Sequence, residues 1–373
     1  MQKALHTGRV IQGKTIYIAH GWSDVSVNQQ SKALALVLSK NNKVVFLSAK
    51  KTGHKSVQVN ENLLVLEWPG KRPTGLRDFF FAIKLMNNNK PDIIISNFAA
   101  NDIMLFVSWL FRVEKRVCYF HTMVEQHIAD HKTLGFLQRI NIFRKGFVFR
   151  MATHMLPLTV AGKKDLMKYF KVKENKAFIF PNALHNTGKR NKSNNNTIGY
   201  LGRLDHSKGV DILIAAFKKV ADRIENARLQ IIGKGIKEAE LKKQVEALGL
   251  KEKVLFKGAV PYSEVLDFLC SVNFLVIPSR ADNLPTVALE ALSVATPLIG
   301  SNSGGIPDII NQGFNGLLFQ KGDADNLSEK MTDLLTNRGM RDSMAQNARK
   351  VFEEKYCMDK LLQRFEKLFE EDV

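Results

Sequence analysis

The stretch from Pro278 to Pro307 constrains the fold more than any other part of the sequence. It follows the uncharged apolar run 274–277, which is typical of a buried strand that ends at a proline. The apolar segment 285–293, with a proline in its first turn, predicts a helix, and 297–300 predicts the next strand. A strand, a loop, a helix, a second strand and a glycine pair form a parallel-sheet unit. Both loops are therefore expected at the carboxyl ends of parallel strands, where ligands bind in such sheets.

Two acidic residues lie in this stretch, eight positions apart. Asp282 falls in the predicted loop and Glu290 in the predicted helix, for which Asn283 is the expected N-cap. Thr286 and Glu290 are four residues apart and therefore share one helix face. Because the neighbours of Glu290 are apolar, we expect its carboxylate to point into a site rather than into solvent.

This stretch resembles the signature of a known family. The resemblance is carried by the acid pair, the flanking sequences NLP and EAL, and the segment GGIPDII. This family comprises the retaining, nucleotide-sugar-dependent glycosyltransferases of the GT-B fold, the large group 1 (family 4) type. The resemblance implies an α/β protein with two Rossmann-like, doubly wound domains that face each other across a cleft. It implies that Glu290 binds the ribose hydroxyls and that Asp282 holds hydroxyls of the donor sugar. The family usually has Glu at the first acid position, whereas Asp282 is one methylene shorter.

Arg203 and Lys208 share one predicted strand-to-helix loop, in which two cations can converge on a diphosphate. Together with the acid pair, this loop resembles the GRL…KG element of the family. The resemblance implies a phosphate clamp that stabilises the leaving nucleoside diphosphate, with no metal and no cofactor. Backbone N–H groups near Leu284 and Thr286, at the start of the helix, would add donors and a favourable dipole.

Two further loops, 233–235 and 260–261, each follow a predicted strand and resemble loops that line the nucleotide base in the family. Gly233 and Val260 are the positions expected to contribute backbone groups to the base. An ordinary turn explains the Gly-Lys-Gly sequence equally well. These features do not distinguish uracil from guanine.

The first half of the chain offers two candidate site residues. Gly21 follows the predicted strand 15–19 and would let the backbone approach the donor phosphates and the acceptor, or simply form a turn. His121 follows the predicted strand 116–120, where an imidazole can donate to a sugar hydroxyl or to the transferring centre. The family commonly has a histidine here, near the acceptor, and a satisfied loop histidine is the alternative. A GxGxxG dinucleotide fingerprint is absent.

The length and the strand-helix alternation predict two domains. We expect an acceptor-binding domain at 1–183, a polar linker at 184–196 and a nucleotide-sugar-binding domain at 197–340. The helical segment 341–373 either crosses back to the first domain or packs on the second. The strands predicted in the first domain are 15–19, 43–47, 63–66, 93–96, 116–120, 153–156 and 177–180, and those of the second begin at 197, 228, 253, 274 and 297.

The net charge of +19 is distributed unevenly along the chain. Residues 1–200 contain 31 Lys and Arg against 11 Asp and Glu, whereas the remainder is nearly neutral. Such asymmetry indicates an anionic partner for the first half, or serves solubility alone. Residues 132–150 combine basic and bulky aromatic residues without an acid. This pattern favours either an interface helix on anionic lipid or a helix packed on the domain with a solvated basic rim. No motif supports nucleic-acid binding.

Cysteine usage and hydropathy bear on the compartment. The three cysteines form no CxxC or Cys/His cluster, which indicates a reducing environment. Neither an apolar signal-peptide region nor an uncharged apolar run of about 20 residues is visible in the sequence. We therefore expect a cytoplasmic protein, with peripheral association at the inner face of the membrane if 132–150 binds lipid.

The function predicted from these observations is that of a retaining, metal-independent, hexosyltransferase-type glycosyltransferase. It would move a sugar from a nucleotide-sugar donor to a saccharide or lipid-linked acceptor, in cell-surface polysaccharide or glycolipid synthesis. One alternative is a GT-B sugar-nucleotide epimerase, and another is a non-catalytic protein that binds an anionic surface. A glycoside hydrolase would need two carboxyl groups that flank the scissile bond, whereas both acids here are better explained as hydroxyl binders.

Overall fold

A computed structural model describes residues 11–21, 26–49, 56–70, 72–131, 133–191 and 193–370. The chain divides into two compact units. The first contains the residues up to Thr122, Leu134–Ala183 and the segment from Met358 onward. The second contains Met123–Thr133 and Leu184–Cys357. None of the described helices has both the length and the apolar character needed to cross a membrane.

Most strands of both units coincide with short apolar runs, and β3 is the exception among those described. The strands are β1 (Thr15–Ala19), β2 (Lys43–Ser48), β3 (Ser56–Asn60), β4 (Leu63–Glu67), β5 (Ile93–Ser96), β6 (Lys115–Phe120), β7 (His154–Pro157), β8 (Thr197–Leu201), β9 (Arg228–Ile232), β10 (Val254–Gly258), β11 (Phe274–Ile277), β12 (Leu298–Ser301) and β13 (Gly316–Phe319). Most are buried along their length, as strands covered by helices on both faces must be.

The helices alternate with the strands in both units. They are α1 (Ser26–Leu38), α2 (Leu76–Asn88), α3 (Asn101–Leu110), α4 (Val124–His131), α5 (Phe136–Phe149), α6 (Val160–Phe170), α7 (Val210–Arg223), α8 (Glu238–Ala247), α9 (Tyr262–Ser271), α10 (Thr286–Ser293), α11 (Ile306–Ile309), α12 (Ala324–Thr336), α13 (Arg338–Val351) and α14 (Met358–Glu370). In the second unit, buried side chains of α7 and α12 pack on the sheet and form its core.

Each unit contains one sheet with a reversal of strand order. The first sheet runs β3-β4-β2-β1-β5-β6-β7 and the second β10-β9-β8-β11-β12-β13. Among the described pairings, β3 with β4 is antiparallel and the others are parallel. The chain changes direction across the sheet between β1 and β5 in the first unit and between β8 and β11 in the second. Loops diverge at such switch points and leave a crevice at the carboxyl ends of the strands.

The strand predicted at 177–180 does not form. Phe178 and Phe180 donate their N–H groups to the carbonyl oxygens of Met155 and Pro157, at 2.9 and 2.8 Å. A second bridge would require an N–H from Pro157, which proline lacks. The ladder therefore stops after the single bridge between Met155 and Ala177.

The C-terminal helical segment is interrupted rather than continuous. After α13 comes a π-helical turn, Phe352–Tyr356, and Cys357 then has an extended backbone. The residues up to Cys357 belong to the second unit, and the chain from Met358 onward belongs to the first. In the first unit, α14 packs Phe365 edge-on against Phe180, with ring centroids 6.2 Å apart.

The segment expected to be a linker has contacts with the second unit. Lys189 forms an ion pair with Asp267, and Asn191 Nδ2 donates to Thr296 Oγ1 at 2.8 Å. These contacts hold part of 184–196 against the body of that unit.

Candidate active site

The second unit has its predicted site residues at the carboxyl ends of its strands. Arg203 and Lys208 follow β8, Gly233 follows β9, and Val260 follows β10. Asp282 follows β11, as do the neighbouring Asn283 and Leu284, while Thr286 and Glu290 belong to α10. Because β8 and β11 flank the switch point, their loops form the walls of its crevice.

Lys208 and Asp282 form an ion pair across this switch point. The distance from Lys208 Nζ to Asp282 Oδ2 is 2.5 Å, and the two side chains are only 16% and 10% exposed. Ser279 Oγ lies 3.4 Å from the same carboxylate oxygen. The structure thus joins two residues that the sequence analysis assigned to different parts of the donor. Arg203 instead pairs with Asp205 at 2.6 Å and is 62% exposed.

The glycine pair after β12 fixes the loop that carries Asp282. Gly305 N–H donates to the Asp282 carbonyl oxygen at 2.9 Å. Gly304 has φ +58°, and a Cβ built there would lie 2.1 Å from the same oxygen. A side chain at this position would displace the loop, so Gly304 is required by close backbone approach and by its left-handed conformation.

Arg280 links the loop after β11 to the loop after β8, and the sequence analysis missed this role. Its guanidinium forms two hydrogen bonds with the Asp211 carboxylate, at 2.8 and 2.6 Å. Its backbone N–H donates to the Ser207 carbonyl oxygen at 2.7 Å. Burial would raise the pKa of Asp211, but the hydrogen bonds and charge of Arg280 outweigh burial and hold this pKa below its usual value. Nothing in the sequence pairs two residues that are so far apart.

The loop after β9 has a structural reason for its glycine. Gly233 has φ +142°, and a Cβ there would lie 1.8 Å from the Gly202 carbonyl oxygen. Gly233 N–H donates to the carbonyl oxygen of Gly258 at 2.8 Å, and Leu204 N–H donates to the carbonyl oxygen of Lys234 at 3.0 Å. These bonds tie together the loops after β8, β9 and β10. Gly233 is therefore needed for loop packing, whatever it contributes to ligand binding.

The helix α10 begins later than the sequence analysis expected. Its N-cap is Pro285 rather than Asn283, which is buried within the preceding loop. The expectation for Asn283 is wrong because Pro285 itself has an extended backbone, and helical dihedrals begin only at Thr286. Glu290 is 4% exposed. In the described parts of the chain, no group of three His, Cys, Asp or Glu side chains could hold a metal ion.

The helix α4 provides a contact that its place in the sequence does not indicate. It lies between elements of the first unit in the chain, yet it packs against the 3₁₀ turn His206–Lys208 of the second unit. The turn that carries Lys208 is therefore supported from two directions. Arg280 N–H donates to the Ser207 carbonyl oxygen of this turn, and α4 lies next to it.

Gly21 and His121 lie in the first unit, near its own switch point. Four rings stack in the order His20, Phe98, His121 and Tyr119, with successive centroids 5.4, 4.1 and 5.7 Å apart and interplanar angles of 11–15°. Phe98 has φ +49°, a strained conformation for a bulky residue, and the stacked rings hold it in place. His20 follows β1 and Phe98 follows β5, so the stack crosses the switch point.

Both histidines of the stack are neutral at physiological pH. Burial lowers the pKa of His20 to about 4. Burial, with a smaller contribution from the charge of His20, lowers the pKa of His121 to about 3. His121 Nε2 lies 2.8 Å from Asn97 Oδ1.

Two cavities lie next to this stack within the first unit. One, of about 270 Å³, is lined by His20, Gly21 and Asn97 among others. The other, of about 570 Å³, is lined by residues that include Tyr119 and His121. Phe98 lines both. Gly21 therefore lines the smaller cavity and His121 the larger one, each of them concave enough to hold a small ligand.

Comparison with known proteins identifies the family of the second unit. Residues 185–351 match the family model described as glycosyl transferases group 1. This region belongs to the group 1 glycosyl transferases. An uncharacterized glycosyltransferase of Methanocaldococcus jannaschii is 30% identical to the chain over 161 residues, which are 42% of the chain and 43% of that relative. The chain spans less than two thirds of the length of the first curated relatives that it matches.

Solved structures of glycosyltransferases resemble the chain over most of its length. HepE of Anabaena in complex with UDP has a TM-score of 0.78 at 15% identity, with 96% of this chain and 100% of HepE covered. Sucrose-phosphate synthase of Thermosynechococcus elongatus has a TM-score of 0.75 at 16% identity, with 96% and 98% covered. Identity this low shows the fold alone. The predicted fold class, two Rossmann-like α/β units of the GT-B kind, is confirmed.

Proposed function

We propose that this group 1 glycosyl transferase binds a nucleotide-sugar donor in its second unit and transfers the sugar to a saccharide or lipid-linked acceptor. The observation that supports this most is the nearly buried Lys208–Asp282 pair at the switch point of the second sheet. A cation and a carboxylate in one crevice suit a ligand that presents a phosphate beside sugar hydroxyls. HepE, which shares the fold, has been crystallised with UDP and with UDP-glucose.

The proposal gives each loop residue one role toward the donor. Lys208 and Arg203 bind the diphosphate, the first as a compact charge and the second as a planar fork. Glu290 accepts hydrogen bonds from the ribose hydroxyls, and Asp282 accepts them from the donor sugar. Backbone N–H groups at the start of α10, near Thr286, add positive potential beside the phosphates.

The proposed reaction retains the anomeric configuration. The bond from the sugar C1 to the diphosphate oxygen breaks while the acceptor hydroxyl oxygen attacks C1 on the same face. A non-bridging oxygen of the leaving phosphate takes the hydroxyl proton, so no enzymic base is required. Lys208 and Arg203 stabilise the negative charge that develops on the diphosphate. His121, in its neutral form, orients an acceptor hydroxyl through hydrogen bonding. We place the reaction in cell-surface polysaccharide or glycolipid synthesis.

Thermal unfolding with a panel of nucleotides tests the donor assignment. UDP, GDP and ADP, and one sugar derivative of each, are compared in a buffer that contains EDTA. A ligand at about 100 times its Kd should stabilise the protein by about 2.7 kcal/mol. We expect one nucleoside diphosphate and its sugar to raise the melting temperature. No shift with any nucleotide would contradict the proposal, and an isomeric nucleotide sugar formed from the donor alone would identify an epimerase.

Two matched substitutions test the assigned roles of the acids. Glu290→Gln should abolish the shifts with both nucleoside diphosphate and nucleotide sugar, because both ligands contain the ribose. Asp282→Asn should keep the shift with the diphosphate and lose the additional shift with the nucleotide sugar. Equal losses with both ligands in both variants would show that the two roles are wrongly divided.

We further propose that the first unit binds the surface of an anionic bilayer through α5. Its exposed face carries large apolar side chains, with Phe136, Leu137 and Phe143 exposed by 77, 79 and 78%. Arg139 is also exposed on this helix, which contains no acid. Arg144 is exposed as well and forms an ion pair with Asp102 of α3. Large apolar side chains flanked by cations suit a headgroup layer that is anionic outside and apolar beneath.

Vesicle sedimentation tests the membrane assignment. We expect binding to vesicles that contain phosphatidylglycerol, weak binding to phosphatidylcholine alone, and release at high salt, since each basic residue contributes about 1 kcal/mol and salt screens it. Leu137→Ser/Phe143→Ser should reduce vesicle partitioning about tenfold or more. The control is Ile236→Ser, since Ile236 is 88% exposed in the second unit. Binding that ignores lipid charge, salt and the double substitution would contradict the proposal, as would sedimentation without vesicles, which indicates self-association.

A further inference from the structure

The larger cavity of the first unit has a composition that the proposed function does not explain. Its volume is about 570 Å³, within the range of small-molecule sites. Segments that are distant in the sequence contribute to it: the loop before α2, the ends of β5 and β6, and α5. Its lining includes Arg72, Asn101, Tyr119, His121, Lys145 and Phe149.

Arg72 and Lys145 are the charged residues of this lining, and no acidic side chain accompanies them. Neither forms an ion pair within the described part of the chain. The neighbour of Lys145 behaves differently, since Arg144 pairs with Asp102 at 2.6 Å. Two positive charges therefore line one concave space without an acidic side chain of that lining to offset them. The cavity is therefore electrostatically complementary to a negatively charged ligand.

The loop that carries Arg72 is held in place by a buried carboxylate. Asp78 is 3% exposed and accepts hydrogen bonds from Gly70 N–H at 2.9 Å and from Gly75 N–H at 3.1 Å. These bonds close the loop on both sides of Arg72. The backbone on either side of Arg72 is therefore anchored next to the cavity.

The remaining lining suits a sugar ring. Tyr119 and Phe149 contribute aromatic atoms to the lining, which suit the C–H groups of a pyranose. Asn101 and Thr122 supply groups that can bond hydroxyls. Aromatic surface, amide and hydroxyl groups, and a pair of cations are the complement of a monosaccharide that bears an acidic group.

We infer that the acceptor of this transferase carries an anionic group, a phosphate or a carboxylate, on or next to the sugar that enters this cavity. Arg72 and Lys145 bind the anion, and the aromatic lining holds the ring with a hydroxyl near His121. This inference rests on the proposed function for the identity of the ligand as the acceptor. The anion site itself does not depend on the donor.

Titration calorimetry with four probes tests the inference. The probes are glucose, glucuronate, glucose 6-phosphate and glucose 1-phosphate, measured on the full chain with saturating UDP to occupy the donor site. We expect at least one anionic probe to bind about tenfold to a hundredfold more tightly than glucose, the effect of one or two charge-assisted hydrogen bonds. A preference for glucose 1-phosphate would indicate an anomeric phosphate, as in a lipid-linked sugar. A preference for glucuronate or glucose 6-phosphate would indicate an acidic ring substituent.

Matched substitutions locate the effect. Arg72→Gln/Lys145→Gln should bring the affinity for the anionic probe close to that for glucose. Arg77→Gln/Lys84→Gln removes the same charge from exposed positions on α2 outside the cavity, and should keep the preference. Circular dichroism and the melting temperature establish that both double variants fold. Equal affinity of all four probes for the wild type, or an anion preference that survives Arg72→Gln/Lys145→Gln, would overturn the inference.

The melting temperature with UDP separates this inference from the proposed function. Stabilisation by UDP without an anion preference would overturn the anionic acceptor and leave the donor site intact. An anion preference without stabilisation by any nucleotide would support the cavity as an anion site and contradict the transferase. Transfer assays with the preferred probe as acceptor then show whether the bound sugar is the one that reacts.

Discussion

Replacing Lys208 by methionine should lower the rate of sugar transfer by a factor of about 100 to 1000, or about 3 to 4 kcal/mol of transition-state stabilisation. The ammonium group lies in a crevice where its side chain is only 16% exposed, so its charge acts on a developing phosphate anion with little screening by water. Initial rates with the donor identified by thermal unfolding measure the effect as a change in kcat/KM.

The same substitution should also destabilise the second unit, by about 3 kcal/mol, because the Asp282 carboxylate would be left nearly buried without its partner. Lys208→Met/Asp282→Asn removes both charges and should recover most of the free energy of unfolding without recovering the rate. Urea unfolding and initial rates are measured on the same preparations. If the double variant recovers the transfer rate as well as the free energy of unfolding, the Lys208–Asp282 pair has a structural role only, and the prediction is wrong.

A matched control uses an exposed ion pair of the same unit. Lys218 and Asp222 lie one helical turn apart on α7, with side chains 36% and 58% exposed. Lys218→Met should change the free energy of unfolding by less than about 1 kcal/mol, because exposed pairs contribute little, and should not change the rate.

Acidification should destabilise the first unit through its stacked histidines. The folded-state pKa values of His20 and His121 are lowered to about 4 and about 3, so the unfolded state binds more protons below pH 6.5. The contribution of these neutral histidines to the free energy of unfolding is fully present above the pKa of the unfolded state. It is lost as the pH falls toward the pKa values of the folded state. Between pH 6.5 and 5 each histidine should cost about 2 kcal/mol of unfolding free energy. Denaturant unfolding at pH 7 and pH 5 measures the difference.

Histidine substitutions identify the origin of this acid sensitivity. His20→Gln/His121→Gln should flatten the pH dependence of unfolding. If the double variant is too unstable at pH 7 for a titration, nuclear magnetic resonance of the two imidazoles in the wild type provides the same information. Titration of either ring near pH 6.5 would contradict the prediction.

The pattern of apolar runs predicted most of the strands because parallel sheets bury both faces of a strand. Ile93–Ser96 and Phe274–Ile277 form as expected, since such runs have few alternatives to a buried strand. Ser56–Asn60 was missed because it is an exposed edge strand without an apolar pattern. The run 177–180 has the right composition, yet its ladder fails because the partner strand ends in Pro157. The local pattern of residues 177–180 does not show which strand will lie beside them, so the missing N–H of Pro157 could not be predicted from it.

The candidate site shows the same limit. The loops that carry Arg203, Lys208 and Asp282 were located from the sequence because each follows an apolar run. The ion pair between Lys208 and Asp282 was not predicted, since it requires β8 and β11 to be neighbours although β9 and β10 separate them in the chain. The role of Arg280 was missed for the same reason. The stack from His20 to Tyr119 likewise depends on the order β1-β5-β6 in the sheet.

The position of α4 affects how this protein can be recombined with its relatives. A chimera that replaces residues 1–183 as one block would also replace α4, the helix that packs on the turn holding Lys208. It would also separate α14 from Phe180, its packing partner in the first unit. A graft intended to change the acceptor should therefore retain 123–133 from the host and take the segment from Met358 onward from the donor of the first unit. The four junctions then fall at 122/123, 133/134, 183/184 and 357/358, and all segments that pack in one hydrophobic core come from the same parent protein.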